Sequence, residues 1–144
     1  MINRTYTSVE QSRRLLELGL DKNTADMVYL KHATSDNLTP RFEGAAPMVL
    51  MDIPINEIDC DTLPCWSVGA LLELMPPYLG EFDDGIDFEL SKAVSNKWFS
   101  AHYIKIEENG KMKPVCVKTG NTSIDACFEM VCWLFENGHI KKGD

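Results

Sequence analysis

The sequence predicts an α+β fold: a mainly antiparallel sheet of about four to five strands with three helices, in one domain spanning residues 1–144. Three observations predict it. Asn109-Gly110 sits between two alternating apolar stretches, 97–107 and 112–118, and that pattern marks a β-hairpin. Residues 121–138 form a capped segment that is apolar on nearly every side, so it is a helix that must be covered over most of its surface. The element order reads α, β, β, α, β, β, β, α, and late strands joined by a tight turn require an antiparallel sheet with helices on one side.

The elements follow in order. Thr7-Ser-Val-Glu10 has the form of a capping box. The helix it opens runs through Leu15, Leu16 and Leu18 and stops at Gly19. Residues 25–32, with Met27, Val28, Tyr29 and Leu30, suit a short strand. Residues 33–47 contain Asp36-Asn37, Pro40, Gly44 and Pro47 and are expected to form a long loop. Its stretch 34–46 is expected to be the most mobile part of the chain apart from the ends. Residues 48–51 are a second short strand candidate, limited by Pro54. Glu57, Asp59 and Asp61 then lead to Leu63-Pro-Cys-Trp-Ser67. Ser67 can cap a helix that runs to Leu74, Trp66 can staple onto Leu71, and Pro76-Pro77 ends it.

Residues 80–85 form an acidic loop, and Ile86, Phe88 and Leu90 alternate with Asp87, Glu89 and Ser91 as in a half-buried strand. A two-residue turn at Asn109-Gly110 would pair Glu108 with Lys111 and set Ile104 beside Val115. One hairpin face would then carry Trp98, Ile104, Ile106, Val115 and Val117 and receive the final helix. That helix is opened by Thr122 with Asp125 and closed by Gly138. Trp98, Ile104, Val115, Val117, Phe128, Val131 and Leu134 are its expected core.

The bulk properties narrow the function classes. At 144 residues, 44% hydrophobic and 25% charged, the chain is an ordinary globular domain. Its apolar runs are too short to span a bilayer, and its first residues lack the apolar region of a secretion signal. Five cysteines, several inside apolar patterns, point to reduced buried thiols and a cytoplasmic setting. A net charge of −8 disfavours direct nucleic-acid binding through phosphates. The same acidity is compatible with a basic partner or with mimicry of a nucleic acid.

No nucleotide-binding loop, dinucleotide fingerprint, nucleophile elbow or zinc-protease motif is present, and no cofactor is implied. Cys60 and Cys65 are too widely spaced for a tight metal pair, and further ligands would have to come from the distant His32, His102, His139 or Cys116. Cys65 precedes a helix N-terminus, where a thiol is acidified, so it is the candidate nucleophile, with His32 or His102 as its base. The surrounding Leu63, Trp66, Leu71 and Leu72 favour a core cysteine instead. Asp83, Asp84 and Asp87 could contact a hard cation, but their spacing does not match a calcium loop, so a solvated loop is the expected reading.

Four blocks carry a resemblance: Tyr6-Thr-Ser-Val-Glu-Gln-Ser12; Leu18-Gly-Leu-Asp21 with Thr24-Ala-Asp-Met27; Leu63-Pro-Cys-Trp-Ser67; and Asp125-Ala-Cys-Phe-Glu-Met130 with Asn137-Gly138. In this order they resemble small uncharacterised proteins encoded in prophages and other mobile elements of gut bacteria. The resemblance implies a cytoplasmic accessory protein and transfers no catalytic residue. The expected function is therefore a non-enzymatic factor that binds an unidentified protein partner, with no membrane association and with homo-oligomerisation open. The alternatives are a small hydrolase or transferase using Cys65 with a histidine, and an acidic nucleic-acid mimic. A broad exposed apolar patch would favour the binding protein.

Overall fold

The computed structural model describes residues 5–32, 41–47, 62–80, 86–92 and 98–141. Helix α1 (Val9–Leu18) is followed by a 3-10 turn at Lys22–Thr24 and strands β1 (Met27–His32), β2 (Arg41–Pro47) and β3 (Thr62–Cys65). Helix α2 (Val68–Leu74), strands β4 (Ile86–Lys92), β5 (Phe99–Ile106) and β6 (Met112–Gly120), and helix α3 (Ser123–Glu136) complete the order. The α+β class holds, and every strand pairing among the described residues is antiparallel.

The expected single sheet is instead two three-stranded sheets, with orders β2-β1-β3 and β4-β5-β6. Two short strands account for the difference. β2 pairs along β1 from Met27 with Pro47 to His32 with Arg41, so residues 41–47 are strand where a loop was expected. Its Gly44, Ala45 and Ala46 carry little β propensity, and pairing with β1 overrides it. β3 pairs with the other side of β1, Cys65 opposite Met27 and Leu63 opposite Tyr29. Pro64 is tolerated there because β3 is an edge strand. The strand candidate at 48–51, the acidic residues Glu57, Asp59 and Asp61, Cys60, and residues 33–40 lie outside the described residues.

The helix ends follow the local chemistry closely. The capping box of α1 is shifted by one residue: Ser8 accepts from the Gln11 backbone, and the Gln11 side chain accepts from the Ser8 backbone. Thr7 is thereby released to the interior, where it is fully buried. Gly19 closes α1 in the left-handed conformation at φ 103°. Ser67 caps α2 by accepting from Ala70, and Trp66 and Leu71, the staple positions, are both fully buried in the main core. Thr122 caps α3 by accepting from Asp125.

The main core joins α1, α2, α3 and the β5–β6 hairpin through Leu15, Trp66, Leu71, Tyr103, Met130 and Leu134. Val131 and Leu134 are fully buried as expected, and Phe128 packs against the cluster while partly exposed. Burial of such side chains contributes about 1.5–3 kcal/mol each. The Gln11 amide donates to the Asp125 carboxylate at 2.9 Å, tying the first turn of α1 to that of α3.

Candidate functional site

The Cys65 neighbourhood is built from the N-terminal segment, β1 and β3. Backbone bonds from Thr7 to Trp66 and from Val68 to Thr5 lay residues 5–7 beside the end of β3. Thr7 then fills the interior with polar contacts. Its hydroxyl shares a 2.8 Å bond with Ser12, accepts from the Trp66 N–H at 3.1 Å, and approaches the Cys65 sulfur at 3.6 Å. The Thr7 carbonyl accepts from the Tyr29 hydroxyl at 2.7 Å and from the Cys65 thiol at 3.4 Å.

Cys65 is fully buried among these groups. Burial raises its thiol from an ordinary value near 9 to about 11, against a smaller lowering from the Thr7 hydrogen bond. The thiol is therefore neutral near pH 7 and enclosed. Neither candidate base is brought to it. His32 lies five residues along β1 from Met27, the register partner of Cys65, a separation of about 16 Å at strand rise. His102 belongs to β5 in the other sheet.

The β5–β6 hairpin is built around a different turn from the one expected. Gly110 adopts φ 83°, its N–H donates to Glu107, and the Glu107 N–H donates to Lys111. The loop is thus three residues, with the left-handed position filled by glycine. Ile106 pairs with Met112 and Ile104 with Pro114, so the expected Ile104–Val115 pair is not formed. A bulge between Tyr103 and Ile104 leaves Val115 as the extra residue, and Tyr103 pairs with Cys116 beyond it.

The covered face of the hairpin is also the opposite of the expected one. α3 packs on the face carrying Ala101, Tyr103 and Cys116, all buried. The reason is space. Gly120 approaches the first turn of α3 so closely that a side chain there would come within 2.7 Å of the Asp125 Cβ and 2.8 Å of the Ala126 nitrogen. The lack of a side chain at Gly120 lets the first turn of the helix come this close to the strand.

That other face is left open. Trp98, Ile106, Met112, Val115 and Val117 are 45%, 54%, 68%, 42% and 48% exposed, and they are the large exposed hydrophobics among the described residues. All five lie on the hairpin or immediately before it. Ser100, His102, Ile104, Met112, Pro114 and Val117 line a shallow open depression of about 290 Å³ on this face. At its floor the Ser100 hydroxyl lies 3.0 Å from His102 Nδ1. His102 is thus in a half-buried polar pair, in register with Glu89 on β4 and Val117 on β6.

The edge of this sheet, by contrast, is guarded. β6 is the terminal strand in β4-β5-β6. It or its turn carries Lys111, Lys113, Pro114, the bulged Val115 and Lys118. Lysines, proline and a bulge on an edge strand are the devices that discourage addition of another strand.

Asp87 occupies the position opposite Ile104 on β4, while Asp83 and Asp84 lie outside the described residues. The open face was missed because its residues were read as core. The available signal was that β5 carries apolar residues on both parities: Phe99, Ala101 and Tyr103 on one, Ile104 and Ile106 on the other. A strand apolar on both faces belongs to a middle layer, and one helix can cover only one side of it. Among the described residues, no helix is long and apolar enough to cross a membrane. No protein family, curated protein or solved structure matches the chain.

Proposed function

We propose that this protein is a non-enzymatic, cytoplasmic accessory factor of a prophage or mobile element, and that it binds a protein partner through the outer face of β5–β6. The observation that carries the reading is the exposed apolar surface of this hairpin, where Met112 and Val117 stand with Ile104 around an open depression. Exposed contiguous apolar surface of this kind marks interaction sites in soluble proteins. The burial and raised pKa of Cys65 support a structural role for the thiol over nucleophilic work. The four-block resemblance supports the mobile-element setting.

The test is affinity capture from a host lysate with the wild-type chain and with Met112→Glu/Val117→Glu, followed by mass spectrometry. Both substituted positions are exposed, so the variant should keep its thermal midpoint and lose the partner. A folded variant that retains every partner would remove the outer face from the proposal. Rapid alkylation of native Cys65 at neutral pH would bring the Cys-dependent enzyme forward instead.

A further inference from the structure

Register sorts the charges of the β4-β5-β6 sheet by face. Cross-strand partners lie on the same face of a sheet, and successive residues of a strand alternate between faces. Lys92 pairs with Phe99, Lys118 with Ala101, and Lys105 with both Ile86 and Lys113. These lysines therefore share the parity of Ala101 and Tyr103, the face on which α3 packs. The carboxylates of the strands fall on the other parity. Asp87 is the partner of Ile104 and Glu89 that of His102. On the far side of β5 the same two rows are continued by Pro114 and Val117. Across its paired positions the outer face thus runs from acidic on β4 to apolar on β6, and among those positions it holds no lysine or arginine. Asp87 and Glu89 are two residues apart on one strand, about 7 Å. That is within the screening length of about 8 Å at physiological ionic strength, so their fields add.

We infer that this outer face takes an amphipathic protein segment whose apolar side lies over Ile104, Met112 and Val117 and whose flank over β4 carries lysine or arginine. This deepens the binding-protein reading and rests on it. The apolar side has a seat in the depression between β5 and β6, and the basic flank is complementary to Asp87 and Glu89 in sign and position. The span also fits. From β4 to β6 is two strand spacings, about 10 Å, and a helix with its side chains is about 10–12 Å across. One helical segment therefore covers both the apolar and the acidic rows. Nucleic acids and anionic lipid surfaces have the wrong sign for this face. A second copy of the chain does not meet the requirement either, because a symmetric contact would set Asp87 and Glu89 against a face with no lysine or arginine at its paired positions.

Two synthetic helical peptides with the same leucine-rich side, one flanked by Lys and one by Glu, serve as probes in amide NMR titrations of the intact chain. The Lys peptide should shift amides of β4, β5 and β6 and bind about tenfold more tightly at low ionic strength. The difference should collapse at about 0.5 M salt. Asp87→Asn/Glu89→Gln keeps the side-chain shapes and removes the charges, and should weaken the Lys peptide about fivefold or more. Glu10→Gln/Glu73→Gln removes the same charge from exposed positions on α1 and α2, and should change its affinity by less than about twofold.

The two double variants have the same net charge, so a difference between them reports on the face and not on the chain as a whole. Equal losses in both would mean that net charge alone selects the Lys peptide, and would overturn the inference. Equal binding of the two peptides at the outer face of the wild-type chain would overturn the cationic preference and leave the docking surface standing. That comparison does not depend on any variant folding. If neither peptide shifts the sheet, the docking surface falls as well. Self-association abolished by Met112→Glu would overturn the inference in favour of a second copy.

Discussion

Cys116 and Val117 are neighbours in β6, yet they belong to two different surfaces. Cys116 is buried under α3 with Ala101 and Tyr103, while Val117 is half exposed beside Met112 and Ile104. Both faces are apolar, with Phe99, Ala101, Tyr103 and Cys116 on the inner one and Ile104, Ile106, Met112 and Val117 on the outer one. The difference teaches that the close approach of a helix at Gly120 buries one apolar face of the hairpin while the other stays exposed.

The inner face is where substitutions should do most damage. Leu134→Ala removes a fully buried side chain from the main core and should cost about 2–5 kcal/mol in urea unfolding. Met112→Ala on the outer face should cost less than about 0.5 kcal/mol. Comparable losses at the two sites would break the contrast between the faces. Gly120→Val tests the space argument, since its side chain would meet Asp125 and Ala126. A loss of about 1–3 kcal/mol is expected, and a neutral result would mean that the strand and helix can separate without penalty.

Smaller effects sharpen the inner face further. Thr122→Ala deletes the cap of α3 and should cost about 1 kcal/mol. The buried thiols give a pH dependence. Cys65 and Cys127 are raised to about 11 and Cys132 to about 12, in each case chiefly by burial. The folded state therefore holds these protons more tightly than the unfolded chain, in which thiols titrate near 9. Their contribution is complete below pH 9 and is lost as pH rises through 11 to 12. Denaturant midpoints measured from pH 8 upward should be flat at first and then fall; a rise would contradict the buried-thiol assignment.

Much of the fold was legible from local signals, because those signals are made by residues close in the chain. Ser67, Thr122, Gly19 and Gly138 fixed helix ends through caps and left-handed stops that act over a few residues. Asn109-Gly110 announced the hairpin. What was not legible was decided between distant segments. β2 and β3 exist as strands because β1 lies between them, and nothing within Arg41–Pro47 or Thr62–Cys65 states that. The register of β6 follows from a three-residue turn, and the covered face is set by where α3, distant in sequence from β5, comes to pack. The candidate site had the same difficulty: Cys65 was correctly read as a core thiol from its apolar neighbours, whereas the outer face looked like core until its covering helix was found on the other side.

The central claim is that two adjacent residues of β6 serve different purposes, and one pair of variants tests it directly. Cys116→Glu places a carboxylate under α3 and should abolish cooperative thermal unfolding. Val117→Glu, one residue away, should leave the thermal midpoint within about 2 °C of wild type. If Val117→Glu unfolds the protein as Cys116→Glu does, the outer face is part of the free protein's core and is not available to a partner.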